Sequence, residues 1–219
     1  MTNVAIVLSG CGVFDGAEIH ESVLTLLHLD TRGVQYQCFA PDMAQRHVVN
    51  HLTGEVAADE SRNVLVEAAR IARGTIKNVK EARVEDFDAL IVPGGFGGAK
   101  NLCDFAVAGE NCKVQPDFLA FARAMHKAGK PIALICITPV MSSLICGEGV
   151  ECTIGNDAET AAKITAMGGK HIDCSVRQCH VDRERKLVTT PAYMLATRIS
   201  EAAEGIGHAI HELLALVKK

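Results

Sequence analysis

Short continuous apolar runs alternate with longer amphipathic stretches along this chain, and their order sets the expected architecture. Val4-Ala5-Ile6-Val7-Leu8 is broken by Ser9-Gly10-Cys11-Gly12, as a short buried strand would be. Over residues 17–31, Ile19, Val23, Leu26, Leu27 and Leu29 keep near-helical spacing, and Arg32-Gly33 supplies a stop. Residues 34–40 alternate apolar and polar before Pro41, which predicts a second strand. A helix follows over 63–73, where Val64, Leu65, Ala68, Ala69 and Ile71 share one broad face. Residues 89–93 form another buried strand, and Gly94-Gly95-Phe96-Gly97-Gly98 cannot continue its ladder regularly.

The second half repeats the pattern. A helix over 117–128 leads into the apolar strand 130–135, and a new helix starts at 139–145. Residues 157–167 make a further helix closed by Gly168-Gly169, and 186–190 a late strand. Residues 196–217 read as a helix, or a helix pair interrupted near Gly205 and Gly207. Strands alternating with helices predict a mainly parallel sheet covered on both faces, with ligands beyond the carboxyl ends of its strands.

Cys136 stands where such a strand runs out. Lys130-Pro131-Ile132-Ala133-Leu134-Ile135 precedes it, and Ile137-Thr138-Pro139 follows, with proline suited to a first helical turn. Strand, cysteine, helix start is the layout of a nucleophile elbow, and a helix N-terminus there favours thiolate over thiol.

Composition narrows the class. The 219 residues suit one domain spanning 1–219, with 48% hydrophobic and 22% charged residues and no linker-like tract. A net charge of −4 leaves no basic footprint for nucleic acid, and no apolar run is long enough for a membrane span. Nine cysteines without a Cys-x-x-Cys pair fit neither a zinc ribbon nor a disulfide framework. They imply a reducing compartment, and the expected location is the cytosol.

Three segments should meet at the carboxyl edge of the sheet: the loop and helix start holding Glu18, His20 and Glu21, the Gly94-Gly95 turn, and Cys136. Glu18 and Glu21 are three apart on one helical face and can look toward one site, while His20 faces elsewhere. Carboxylates are also favoured in a first helical turn by the dipole alone. The bare amides of Gly94 and Gly95, with that of Ile137, are candidates for an oxyanion site. Cys11 and His20 are further candidates for the pocket. No phosphate loop or dinucleotide fingerprint occurs.

Gly16-Ala17-Glu18-Ile19-His20-Glu21, Ile91-Val92-Pro93-Gly94-Gly95, Lys100-Asn101-Leu102, Ile135-Cys136-Ile137-Thr138-Pro139 and Thr189-Thr190-Pro191-Ala192 resemble the PfpI/ThiJ superfamily, with its class I glutamine amidotransferase-like fold. Leu8-Ser9-Gly10-Cys11-Gly12-Val13-Phe14-Asp15-Gly16, His51-Leu52-Thr53-Gly54-Glu55 and Pro191-Ala192-Tyr193-Met194 resemble its ElbB subfamily over essentially the whole chain. The resemblance implies a flavodoxin-like three-layer α/β/α sandwich, a homodimer, and glyoxalase activity on a small dicarbonyl with no metal and no cofactor. It matches Cys136 to the nucleophile, Glu21 to the glutamate that contacts the elbow, and Gly94 and Gly95 to the oxyanion turn. Two departures stand out: Cys152-Thr153-Ile154-Gly155-Asn156 lacks the histidine that deglycase-type relatives place there, and Thr138 replaces a frequent glycine. The competing readings are a redox-sensing or binding protein with an oxidisable Cys136, a glutamine amidotransferase, or a protein deglycase.

Overall fold

The structure is a computed structural model that describes residues 1–217. In chain order its elements are β1 (Asn3–Val7), α1 (Ile19–Asp30), β2 (Gln35–Ala40), α2 (Val64–Ile71), β3 (Ile76–Asn78) and β4 (Ala89–Val92). There follow α3 (Phe105–Ala108), α4 (Pro116–Lys127), β5 (Ile132–Ile135), α5 (Ser142–Cys146), β6 (Glu151–Cys152) and α6 (Ala158–Ala166). β7 (Lys170–His171), β8 (His180–Asp182), β9 (Leu187–Thr190) and α7 (Ile199–Val217) complete the described chain.

Seven strands form one sheet in the order β3-β2-β1-β4-β5-β9-β8, parallel throughout except for the antiparallel pairing of β8 with β9. Side-chain alternation along each central strand feeds two cores. Ala5, Val7, Leu90, Val92, Ile132 and Leu134 pack on one face with Phe118, Phe121 and Met125 of α4. Val4, Ile6, Ile91, Ala133 and Ile135 pack on the other with Ile206, Ile210 and Leu213 of α7 and with Leu29 of α1. This is the expected three-layer α/β/α sandwich, and strands buried on both faces explain the continuous apolar runs.

The longer elements lie within two residues of their expected bounds, except that α7 begins three residues later than expected. The two- and three-residue strands β3, β6, β7 and β8 are too short to show a period, and they were not expected. α7 is one continuous helix and not an interrupted pair. Its glycines serve close packing: a Cβ on Gly205 would lie 2.4 Å from the Val176 carbonyl oxygen, and one on Gly207 would lie 2.8 Å from the His28 ring. The elbow helix begins as a tighter 3₁₀ turn over Thr138–Met141 before α5.

Candidate active site

The sheet reverses its winding between β1 and β4. From β1 the chain steps outward to β2 and β3, then returns to β4 on the other side and continues to β5. The loops after β1 and β4 therefore diverge at their carboxyl ends, where doubly wound sheets place ligands. They are stitched together backbone to backbone. Gly97 N–H donates to Gly16 O (2.8 Å), Phe96 N–H to Val13 O (2.8 Å) and Glu18 N–H to Gly94 O (2.9 Å). The glycine run is thus a demand for close approach, because a Cβ on Gly97 would meet the Gly16 carbonyl carbon and the Ser9 oxygen, each at 2.5 Å.

Cys136 follows β5 with φ +64°, a left-handed conformation that costs a residue with a side chain and lifts the thiol off the strand. Its amide still closes the sheet by donating to Thr190 O (2.9 Å). Thr138 holds the turn from inside. Its hydroxyl accepts from the Ile135 amide (2.9 Å) and lies in donating range of the Val92 (3.1 Å) and Ile135 (2.9 Å) carbonyls. The threonine that departs from the resembling motif therefore ties the elbow to both β4 and β5.

Glu21 is fully buried at the start of α1. Its Oε2 accepts from the Gly94 amide (2.9 Å) and its Oε1 from the Tyr193 amide (3.1 Å). Glu18 caps the same helix: its Oε2 accepts from the Glu21 amide at 2.7 Å. Burial pushes the Glu21 carboxyl from its ordinary 4.5 up to about 7, against the pull of the Tyr193 amide and with a smaller push from the Glu18 charge. The Cys136 thiol faces this carboxyl, and burial together with the Glu21 charge raises it well above its ordinary value, although the Gly95 and Ile137 amides favour its anion. The helix-start thiolate expected from sequence is therefore not the resting form. Desolvation outweighs a dipole whose first turn is only 3₁₀.

The oxyanion assignment changes in the same way. The Gly94 amide is committed to Glu21, so it cannot also serve a substrate oxygen. The Gly95 and Ile137 amides have no oxygen acceptor among the described residues and both point at the Cys136 sulfur.

The buried carboxyl has a consequence for stability. Its folded-state pKa lies above the ordinary value, so the stability of the protonated form is fully present below pH 4.5 and is lost as pH rises through about 7. The difference amounts to about 3 kcal/mol. Thermal melts from pH 5 to 8 are expected to show Tm falling by several degrees in the native protein. The fall attributable to Glu21 should be missing from Glu21→Gln; parallel melting curves for the two would remove the assignment.

Above Cys136 opens a cavity of about 340 Å³ lined by Val13, Glu18, Gly95, Phe96, Ala99, Phe105, Ala106, Ile137, Thr160, Tyr193 and Met194. No histidine lines it. His20 stands at the mouth, its Nδ1 2.8 Å from the Tyr193 hydroxyl. Cys11 is not among the lining residues, and burial with the Glu67 charge raises its pKa. The segment that lacks the histidine runs behind the elbow, with Cys152 against Pro139 O and the Thr153 amide on Thr189 Oγ1 (2.9 Å).

Residues 12–192 match the DJ-1/PfpI family. The chain belongs to that family. Among curated relatives it is similar to "Glutamine amidotransferase-like class 1 domain-containing protein 3, mitochondrial" of Homo sapiens, 46% identical over 99% of this chain and 84% of the relative. It is equally similar to "ES1 protein homolog, mitochondrial" of Rattus norvegicus, 46% identical with the same coverage. Among solved structures it is similar to an "isoprenoid biosynthesis protein with amidotransferase-like domain" from Ehrlichia chaffeensis, with TM-score 0.92 and 37% identity over 99% of both chains. The expected cytosolic location is corrected by these relatives, whose names place them in mitochondria. Unpaired cysteines separate reducing from oxidising surroundings and do not tell one reducing compartment from another.

In this DJ-1/PfpI chain the predicted cluster of Cys136, Glu21, Glu18, Gly95 and Ile137 converges as the motifs indicate. What sequence reading missed is the roof and walls. Phe105 and Thr160 lie outside every motif, and Phe96 stands in the glycine run without a role of its own. Tyr193 and Met194 belong to the Pro191–Met194 motif, and the hold of Tyr193 on Glu21 depends on Ala192, whose φ of +43° turns the Tyr193 amide inward after β9.

Proposed function

We propose that the protein is a cofactor-independent glyoxalase of the ElbB type that converts glyoxal to glycolate, and methylglyoxal to lactate. The observation that carries this reading is a neutral cysteine thiol facing a buried carboxyl that titrates near pH 7, with two unoccupied amides beside the sulfur. A carboxylate of that basicity can accept the thiol proton and later a carbon-bound proton at neutral pH.

Cys136 sulfur adds to one aldehyde carbon while its proton passes to Glu21. The Gly95 and Ile137 amides hold the resulting oxyanion, which Glu21 then protonates to give a hemithioacetal. Glu21, again a carboxylate, takes the proton from the former aldehyde carbon. The enediol that forms is reprotonated at the neighbouring carbon, leaving a thioester. Water cleaves the thioester, releasing the hydroxy acid and restoring the thiol. No electrons leave the system, so no redox cofactor is called for. Glu18 fixes the Glu21 backbone and supplies the second carboxylate of the cavity.

Two alternatives fit the same residues less well. A peroxide sensor favours an accessible thiolate, whereas Cys136 is 7% exposed and held neutral. A glutamine amidotransferase relies on a histidine beside its cysteine, and none lines this cavity.

Purified protein incubated with glyoxal is expected to form glycolate, with kcat/KM rising as Glu21 ionises and levelling above about pH 7. Absence of glycolate across that pH range would remove the proposal.

A further inference from the structure

The geometry points to an uncharged 2-oxoaldehyde with an apolar substituent of about the size of a benzene ring as the preferred substrate class, an inference that rests on the glyoxalase reading. Glyoxal and methylglyoxal are small and polar, whereas the cavity over Cys136 is neither. Its volume of about 340 Å³ falls within the ~300–1,000 Å³ range of sites that enclose ligands of many heavy atoms. Two phenylalanine rings, Phe96 and Phe105, stand in its walls with Val13, Ala99, Ile137 and Met194, a setting suited to a flat apolar group.

The charges around the cavity exclude anions. Among the described residues the lining includes Glu18 but no lysine, arginine or histidine. Two lysines stand against its phenylalanine rings, and both are engaged elsewhere. Lys100 lies 5.4 Å from the Phe96 ring and donates to Phe14 O (2.8 Å); Lys163 lies 5.9 Å from the Phe105 ring and pairs with Glu159 (2.6 Å). A carboxylate buried in the cavity would therefore sit among apolar walls beside Glu18, with no cationic side chain in the lining to pair with it.

The chemistry stays balanced for a larger substituent. Cys136 adds to the aldehyde carbon of phenylglyoxal, and the proton on that carbon moves through Glu21 to the ketone carbon. Water then cleaves the thioester to give mandelate and the free thiol. The substituent only occupies the cavity, and its burial is realised in the transition state as well as in the bound complex.

The test compares initial rates with glyoxal, phenylglyoxal and 4-carboxyphenylglyoxal in the native protein and in Ala106→Phe and Thr160→Phe. These positions lie on different helices, α3 and α6, and neither is buried, so an added ring narrows the space without disrupting packing. In the native protein kcat/KM for phenylglyoxal is expected to exceed that for glyoxal by on the order of tenfold or more, as apolar pockets discriminate. The carboxylated compound should fall below phenylglyoxal by a similar factor. In each variant the phenylglyoxal-to-glyoxal ratio should drop at least several-fold. Glyoxal turnover with no preference for phenylglyoxal, equal use of the carboxylated compound, or an unchanged ratio in both variants overturns the substrate class while leaving the glyoxalase reading in place. No turnover of any of the three removes both.

Discussion

Cys136→Ala is expected to reduce glycolate formation by about 10³-fold or more, toward the uncatalysed rate, while the protein stays folded. The size of the loss follows from the role: without sulfur there is no hemithioacetal, and neither Glu21 nor the amides has anything covalent to act on. The fold should tolerate the change because alanine accepts the same φ of +64° at about the same strain, and because removing the thiol relieves an acidic pair crowded into a desolvated site. Tm within a few degrees of native, measured beside the assay, separates lost chemistry from lost structure. Substantial glycolate formation by the alanine variant would show that the reaction runs elsewhere.

Gly16→Ala should have the opposite signature, destabilising the fold rather than removing a reacting group. A Cβ at Gly16 would lie 2.2 Å from the Cys11 nitrogen and 2.7 Å from the Gly10 carbonyl carbon, and both are backbone atoms that cannot rotate away. The β1 loop would have to move off the β4 loop, breaking the bond from Gly97 N–H to Gly16 O and the seat of Glu18 on Gly94. A destabilisation of about 3 kcal/mol or more is expected, at the upper end of overpacking costs, lowering Tm by roughly 6–12 °C. Gly33→Ala is the control. Gly33, unlike Gly16, has a positive φ, +65°, but nothing lies within 4 Å of its added carbon, so only about 1 kcal/mol of backbone strain is expected. Equal Tm losses for the two would show that the loop contact is not what constrains Gly16.

The two substitutions probe different properties of one construction. In the proposed reaction Cys136 is the chemically essential group yet is locally replaceable, whereas Gly16 has no chemistry and is held by geometry alone. Both depend on the reversal of strand order between β1 and β4, which brings a loop near residue 16, a turn near residue 95 and an elbow at residue 136 to one edge.

Much of this was legible in the chain itself. Strands buried on both faces write themselves as continuous apolar runs, and helices as a 3.6-residue period, so β1, β4, β5, α1 and α4 could be placed from local pattern. Cys136 was recognisable because an apolar run, one cysteine and a proline-bearing turn describe strand, elbow and helix start within ten residues. Glu18 and Glu21 could be set on one face by their spacing alone.

Other properties were decided by residues far apart in sequence, and local pattern does not record them. The protonation of Glu21 depends on complete burial under β4 and the Tyr193 turn, and the neutral state of Cys136 depends on Glu21 in turn. Gly94 looked equivalent to Gly95 until the carboxyl of Glu21, 73 positions away, claimed its amide. Cys11, in the loop after β1 that helps form the site, is not part of the cavity lining. Periodicity and spacing are local and survive in the linear chain. Desolvation, amide availability and cavity shape are sums over everything that packs nearby, and only the folded sheet brings those groups together.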